Sequence, residues 1–191
     1  MRDVFVLEPT TKILPDDSYV VAYPYLLDYF NAKAPIAAGD VVRGAHMAYG
    51  WMPTILELYP EPGANDLSAA AALLARAKRG GVLTASELET LAALVNNSLV
   101  GASKLLHFVA PANYAIWDSK VYSFVHEKRP HHYRVNNVTT YIDYLNLLKD
   151  LATRSEFPAF NASVEAKLGY RVTPLRSLEL VMFLNAPVYG G

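Results

Sequence analysis

Apolar residues recur along much of this chain at steps of three and four, the spacing of one face of an α-helix. Asp16-Asp17-Ser18 stand before Tyr19, Val20, Tyr23, Leu26, Leu27 and Phe30, a capped stripe. Gly39-Asp40 open a second stripe through Val41, Val42, Ala45, Ala48, Tyr49, Met52, Ile55, Leu56 and Tyr59, which Pro53 kinks or divides. Pro60 to Asp66 has the composition of a loop, and Leu67 to Lys78 is an alanine-rich helix closed by Gly80-Gly81. Thr84 and Glu87 have the spacing of a capping box, opening a helix that Asn96-Asn97-Ser98 breaks. A helix from about Ala102 to Val109 stops at Pro111, and Asp118-Ser119 cap the next, which runs towards Lys128-Arg129-Pro130. Val138–Leu151, Ala159–Leu168 (closed by Gly169) and a helix opened by Thr173-Pro174 complete the set. Only the first few residues and Tyr170-Arg171-Val172 suggest strand. The expectation is an all-α, multi-helix fold: a single domain over 1–191, with possible lobes 1–80 and 81–191 meeting near Gly80-Gly81.

Charge narrows the partners only slightly. The net charge is −1, but residues 1–100 hold 7 Lys/Arg against 11 Asp/Glu, and residues 101–191 hold 10 against 7. The second half therefore offers a mild excess of cations to an anionic partner, although an excess of that size is also ordinary scatter. Without cysteine there are no disulfides, thiol nucleophiles or thiolate metal sites. No apolar run reaches a membrane-spanning length, and the first residues lack the order of a signal peptide, so the expectation is a cytoplasmic protein with no membrane association. Thirteen tyrosines supply flat bodies with polar tips, suited to half-buried walls and to stacking.

The stretch from Ser98 to Val121, S-L-V-G-A-S-K-L-L-H-F-V-A-P-A-N-Y-A-I-W-D-S-K-V, carries most of the chemistry. Lys104 follows Gly101 among small residues, and Asp118 comes fourteen positions later, after Ala115-Ile116-Trp117. Neither charge sits in a polar run. Together they are either a buried ion pair or a nucleophile with its electrostatic partner. Taken singly, Asp118 is also a plain N-cap, and Lys104 a residue of a solvated face. His107, three residues from Lys104, reads as a hydrogen-bonded core histidine or a pocket residue, and Trp117 as core.

These residues resemble the helix-hairpin-helix superfamily of base-excision DNA glycosylases. There a glycine-bearing hairpin leads into a helix that presents a lysine, and an aspartate opens the next helix in a pattern of apolar residue, Asp, Ser or Thr, any residue, Val or Ile. Gly101, Lys104 and Ile116-Trp117-Asp118-Ser119-Lys120-Val121 occupy the matching places. The resemblance covers about a fifth of the chain. The hairpin has one glycine where the family has two, and the lack of cysteine excludes the iron–sulfur branch. The lysine-to-aspartate interval of fourteen is several residues shorter than the family's, and so moves the lysine by about one helical turn relative to the aspartate. The resemblance implies a glycosylase-like fold acting on a modified or damaged base in DNA, with cleavage of the N-glycosidic bond. Lys104 would attack the anomeric carbon, and Asp118 would stabilise the charge that develops on the sugar or orient the nucleophile. Backbone and side chains at Gly101, Ser103, Lys120, Arg129 and Arg134 would meet DNA, while His107, Tyr49 and Trp51 would line the pocket. The alternative is a non-catalytic all-α module that binds DNA or a protein.

Other features are less specific. His126, His131 and His132 with Arg129 and Arg134 form a basic loop suited to a phosphate, but its histidine spacing is poor for a metal, and neither metal nor cofactor is expected. Arg176 and Glu179 read as an i,i+3 pair on the last helix. Gly44 to Trp51 combines small residues and aromatics, fitting close helix packing or a flat ligand equally well. The P-loop and serine-hydrolase motifs are absent.

Overall fold

The structure, a computed structural model, describes residues 1–51, 55–61 and 66–189. The described residues form eleven α-helices and a 3₁₀ turn. In chain order they are α1 Val4–Leu7, α2 Ser18–Asn31, α3 Ala38–Gly50, α4 Leu67–Lys78, α5 Ala85–Leu94, α6 Leu99–Val109, α7 Ser119–His126, α8 His132–Val135, α9 Val138–Ala152, α10 Phe157–Leu168 and α11 Pro174–Leu184. The all-α expectation holds. The strand readings do not: Val4–Leu7 is helical, with the Asp3 carboxylate capping the Phe5 amide, and Tyr170–Val172 is irregular. Leu58 and Val95 form an isolated antiparallel bridge, and no strand forms among the described residues. No described helix is long and apolar enough to cross a membrane.

Helix boundaries follow local chemistry. Asp66, Thr84, Ser98, Asp118 and Asn137 each accept a first-turn amide with the side chain, so α4, α5, α6, α7 and α9 start where an oxygen satisfies an otherwise orphan donor. The Thr84–Glu87 capping box is complete. Ser98 starts α6 one turn earlier than the sequence suggests. Gly169 ends α10 at φ 80°, in the left-handed region. The second apolar stripe is cut short: α3 stops at Gly50, and residues 55–57 are not helical. Pro53, expected to kink it, and Pro62–Asn65 of the expected loop lie outside the described residues.

Two helices form the centre. Ten of the eleven residues of α6 are buried, and so are Leu175 to Met182 of α11 without a break. A helix buried on every face ordinarily carries apolar side chains throughout. Here α6 carries Lys104 and His107, and α11 carries Arg176 and Glu179. Helices α2, α3, α4 and α5 pack on α6, while α1, α7, α9 and α10 pack on α11. Core residues from either side of Gly80-Gly81 belong to one continuous apolar cluster. The α2–α3 contact is close because Gly44 lets Phe30 in: a Cβ there would lie 2.0 Å from its ring.

Candidate functional site

The segment between α6 and α7 sets the geometry. Residues 114–117 are buried and irregular, so their carbonyls have no helix or sheet partners. Each is met by a side chain instead. His107 Nδ1 donates to Tyr114 O (2.8 Å), Tyr141 Oη to Ala115 O (3.0 Å), Tyr144 Oη to Ile116 O (3.2 Å) and Ser103 Oγ to Trp117 O (3.2 Å). Ser103 Oγ also accepts from the Trp117 amide (3.1 Å) and shares its one proton between Trp117 O and Val100 O (2.9 Å), and the Trp117 indole donates to Val135 O (2.7 Å). Ser103 and Trp117 are thus tied together both ways. Their chain neighbours, Lys104 and Asp118, line the same hollow.

That hollow is a cavity of about 750 Å³. Its wall includes Lys104 of α6, Asp118 at the cap of α7, Arg176 and Glu179 of α11, and the aromatics Tyr19, Tyr49, Trp51 and Phe183. Asn96 and Ser98, from the turn between α5 and α6, also reach it. That turn is a tight hairpin in which Asn96 and Asn97 adopt left-handed φ values of 62° and 48°. Asparagine tolerates this region better than most residues, which is how the turn forms with no glycine in it; Gly101, expected in the hairpin, lies inside α6.

Lys104 is only 6% exposed and forms no ion pair with Asp118 or any other described carboxylate. Burial pushes its ammonium below the ordinary lysine range; Asp118 and Glu179 oppose the shift and Arg176 adds to it. Asp118 Oδ1 accepts from the Val121 amide (2.9 Å), which is the capping role, and the group remains partly exposed. Arg176 Nη1 donates to Glu179 Oε2, and the guanidinium lies over the rings of Tyr23 (4.7 Å) and Trp51 (5.6 Å). Burial raises the Glu179 carboxyl to about 7 against the opposing pull of Arg176. The arginine stays charged, so the carboxyl is the partner whose charge changes near neutrality.

Several expected roles change with burial. His107 has no exposed surface and does not line the cavity. A backbone carbonyl only accepts, so Nδ1 carries the proton and Nε2 accepts from Tyr23 Oη (2.7 Å). Burial, with Arg176, lowers its pKa to about 3, keeping the ring neutral. Ser103 is fully buried with its hydroxyl committed to Val100 O and Trp117, so it cannot reach a phosphate. Gly101 is buried inside α6, where a Cβ would lie 2.1 Å from Tyr49 Oη; the glycine serves helix packing and its amide is held by Ser98 Oγ.

The remaining residues sit on the outside or in the wall. Tyr49 and Trp51 line the cavity. Lys120 is exposed, its ammonium 4.3 Å from the Phe183 ring centre, and with Arg129 it borders a shallower groove of about 400 Å³. Ser119, Pro130 and Phe183 belong to both hollows. Arg134 lies over the ring of its neighbour Tyr133 (5.4 Å). His131 and His132 reach the cavity, whereas His126 packs against Tyr122 (4.5 Å). No three His, Asp or Glu residues among those described are grouped to hold a metal ion.

The pair that sequence reading placed outside the site is Arg176–Glu179. The signal was present: Phe183, four residues after Glu179 and seven after Arg176, shares their face of α11, so the pair sits among apolar residues on every side. No family model, curated protein or solved structure matches this chain.

Proposed function

We propose that the chain is a DNA glycosylase-like protein in which the cavity receives a modified or damaged nucleotide extruded from DNA. The α5–α6 hairpin is then its helix-hairpin-helix element. Lys104 attacks the anomeric carbon and Asp118, through the carboxylate oxygen not used in capping, stabilises the charge developing on the sugar. One observation carries the reading: Lys104 and Asp118 line one partly dry cavity without pairing with each other. A lysine nucleophile needs its amine free, and desolvation favours the neutral form. A tight salt bridge would have held it as ammonium.

The aromatic wall suits a base. Tyr19, Tyr49, Trp51 and Phe183 offer faces for stacking, which offsets the few kcal/mol needed to unstack a nucleotide. Lys120 and Arg129 lie beside the mouth and would meet the flanking phosphates. A non-catalytic helical module accounts less well for the site, because it has no use for an unpaired lysine buried beside an open hollow.

Borohydride trapping on oligonucleotides carrying single modified or abasic sites tests the proposal. The expected result is a covalent complex that Lys104→Ala abolishes. Trapping that survives Lys104→Ala removes Lys104 from the mechanism. Salt-dependent binding to DNA with no base released from any modified substrate would favour the module instead.

A further inference from the structure

Eight consecutive residues of α11 are buried, and two of them bear charges that point to use. Arg176 and Glu179 line the same cavity as Lys104. Arg176 holds Glu179 Oε2, while Oε1 has no hydrogen-bond partner among the described residues, and neither has Lys104 Nζ. An open acid–base oxygen and an open amine therefore share one hollow.

Burial acts on both groups in the same sense. In water a proton passing from a lysine to a glutamate climbs roughly six pKa units. In this cavity desolvation lowers the lysine and raises the carboxyl, closing the gap from both ends. The surrounding charges balance. Lys104 is faced by Asp118 of the α7 cap and by Arg176 and Glu179. Glu179 is faced by Arg176, Asp118 and Lys104, with Tyr144 of α9 and Tyr19 and Tyr23 of α2 around the pair. Asp17, His131 and His132 stand elsewhere in the cavity wall.

Resting on the reading of Lys104 as the nucleophile, we infer that Glu179 is its proton carrier for condensation with an aldehyde, such as the ring-opened sugar of an abasic site. The two groups lie beyond ion-pair distance across the cavity, so the Glu179 carboxylate takes the proton from the Lys104 ammonium through a bridging water. The freed amine adds to the aldehyde carbon, the carbonyl π electrons move to oxygen, and a proton shifts from nitrogen to that oxygen. Glu179 then returns its proton as the carbon–oxygen bond breaks, releasing water and leaving the iminium, and is a carboxylate again.

The test needs no DNA. The protein is treated with glycolaldehyde and cyanoborohydride between pH 5.5 and 9, and labelling at each lysine is followed by peptide mass spectrometry. The exposed Lys12, Lys128 and Lys149 serve as internal references. In the unaltered protein Lys104 should label about tenfold or more faster than these at pH 7, with a maximum near neutrality. Glu179→Gln should slow Lys104 by about a hundredfold at pH 7, leave the references alone, and replace the maximum with a rise towards alkaline pH. A glutamate acting only through its charge gives the opposite sign, because removing an anion makes the ammonium easier to deprotonate. Labelling that is unchanged or faster in folded Glu179→Gln therefore overturns the inference while leaving Lys104 as the nucleophile. Should the single variant not fold with Arg176 left unpaired, Arg176→Gln/Glu179→Gln is read in its place, with the same slowing expected. Lys104 labelling no faster than Lys12 in the unaltered protein overturns both this inference and the reading beneath it.

Discussion

Two buried groups should pull the stability of this protein in opposite directions as pH falls, and separating them is a direct test of the interior described here. His107 has a folded pKa lowered from 6.5 to about 3, so its contribution is intact above pH 6.5 and is lost on acidification. Glu179 has a folded pKa raised from 4.5 to about 7, so its contribution is intact below pH 4.5 and is lost as pH rises through 7. Going from pH 6.5 to 4.5, linkage gives a loss of about 2 kcal/mol from His107 and a gain of about 2 kcal/mol from Glu179. The two nearly cancel. Substituting either group should unmask the other, and urea unfolding at pH 4.5, 5.5 and 6.5 reads the result. Stability of Glu179→Gln should fall by about 2 kcal/mol relative to the unaltered protein across that window, and that of His107→Asn should rise by about the same amount. The slope is the measurement, so the fixed cost of each substitution drops out. His126, whose pKa burial also lowers, is present in all three proteins and cancels in the comparison. Three parallel curves would refute the reasoning, since neither group would then be titrating in a dry interior.

Two further substitutions separate packing from chemistry. Gly101→Ala places a Cβ 2.1 Å from Tyr49 Oη, so overpacking of about 1–3 kcal/mol should outweigh the gain of up to about 1 kcal/mol in helix propensity, giving a lower urea midpoint; a higher one would refute the close approach. Asp118→Asn keeps an oxygen for the Val121 amide and should stay within about 0.5 kcal/mol of the unaltered protein, whereas Asp118→Ala should lose about 1 kcal/mol. Both should abolish borohydride trapping, and trapping retained by Asp118→Asn would reduce Asp118 to a cap.

The helices were legible because their signals are local. The capping box of Thr84 and Glu87, the cap at Asp118 and the stop at Gly169 all depend on residues within one turn, whereas Thr173, at the N-cap position of α11, donates its hydroxyl to Pro111 O and caps no amide. Lys104 and Asp118 stood out because charges amid apolar residues must be accounted for. What the sequence could not display was how the segment from Tyr114 to Trp117 is held, since its hydrogen-bond partners come from α6 and α9. For the same reason Ser103 and His107 looked available for ligands when their polar atoms are already spent on backbone groups and, at His107 Nε2, on the Tyr23 hydroxyl. Val4–Leu7 was read as extended because a four-residue helix shows barely one period; the Asp3 cap is its clearest signal.

The distribution of charge in the interior is hard to explain by stability alone. A buried Arg–Glu pair is at best close to neutral against an apolar replacement of similar volume, so Arg176 and Glu179 have little to offer as ballast. Lys104 makes the case sharper. With three carboxylates, Asp17, Asp118 and Glu179, lining the same cavity, a chain selected only to fold would close an ion pair or carry leucine at that position. Instead its ammonium stays unpaired, on a helix whose other faces are fully packed. The backbone leading to Asp118 is fixed at four successive carbonyls by buried side chains, two of which, His107 through Tyr23 and Ser103 through Val100 O, are themselves held by a further partner. Rigid mounting of an unsatisfied group is what preorganisation for a ligand requires, because the desolvation of the amine has already been met by folding and is not charged to binding.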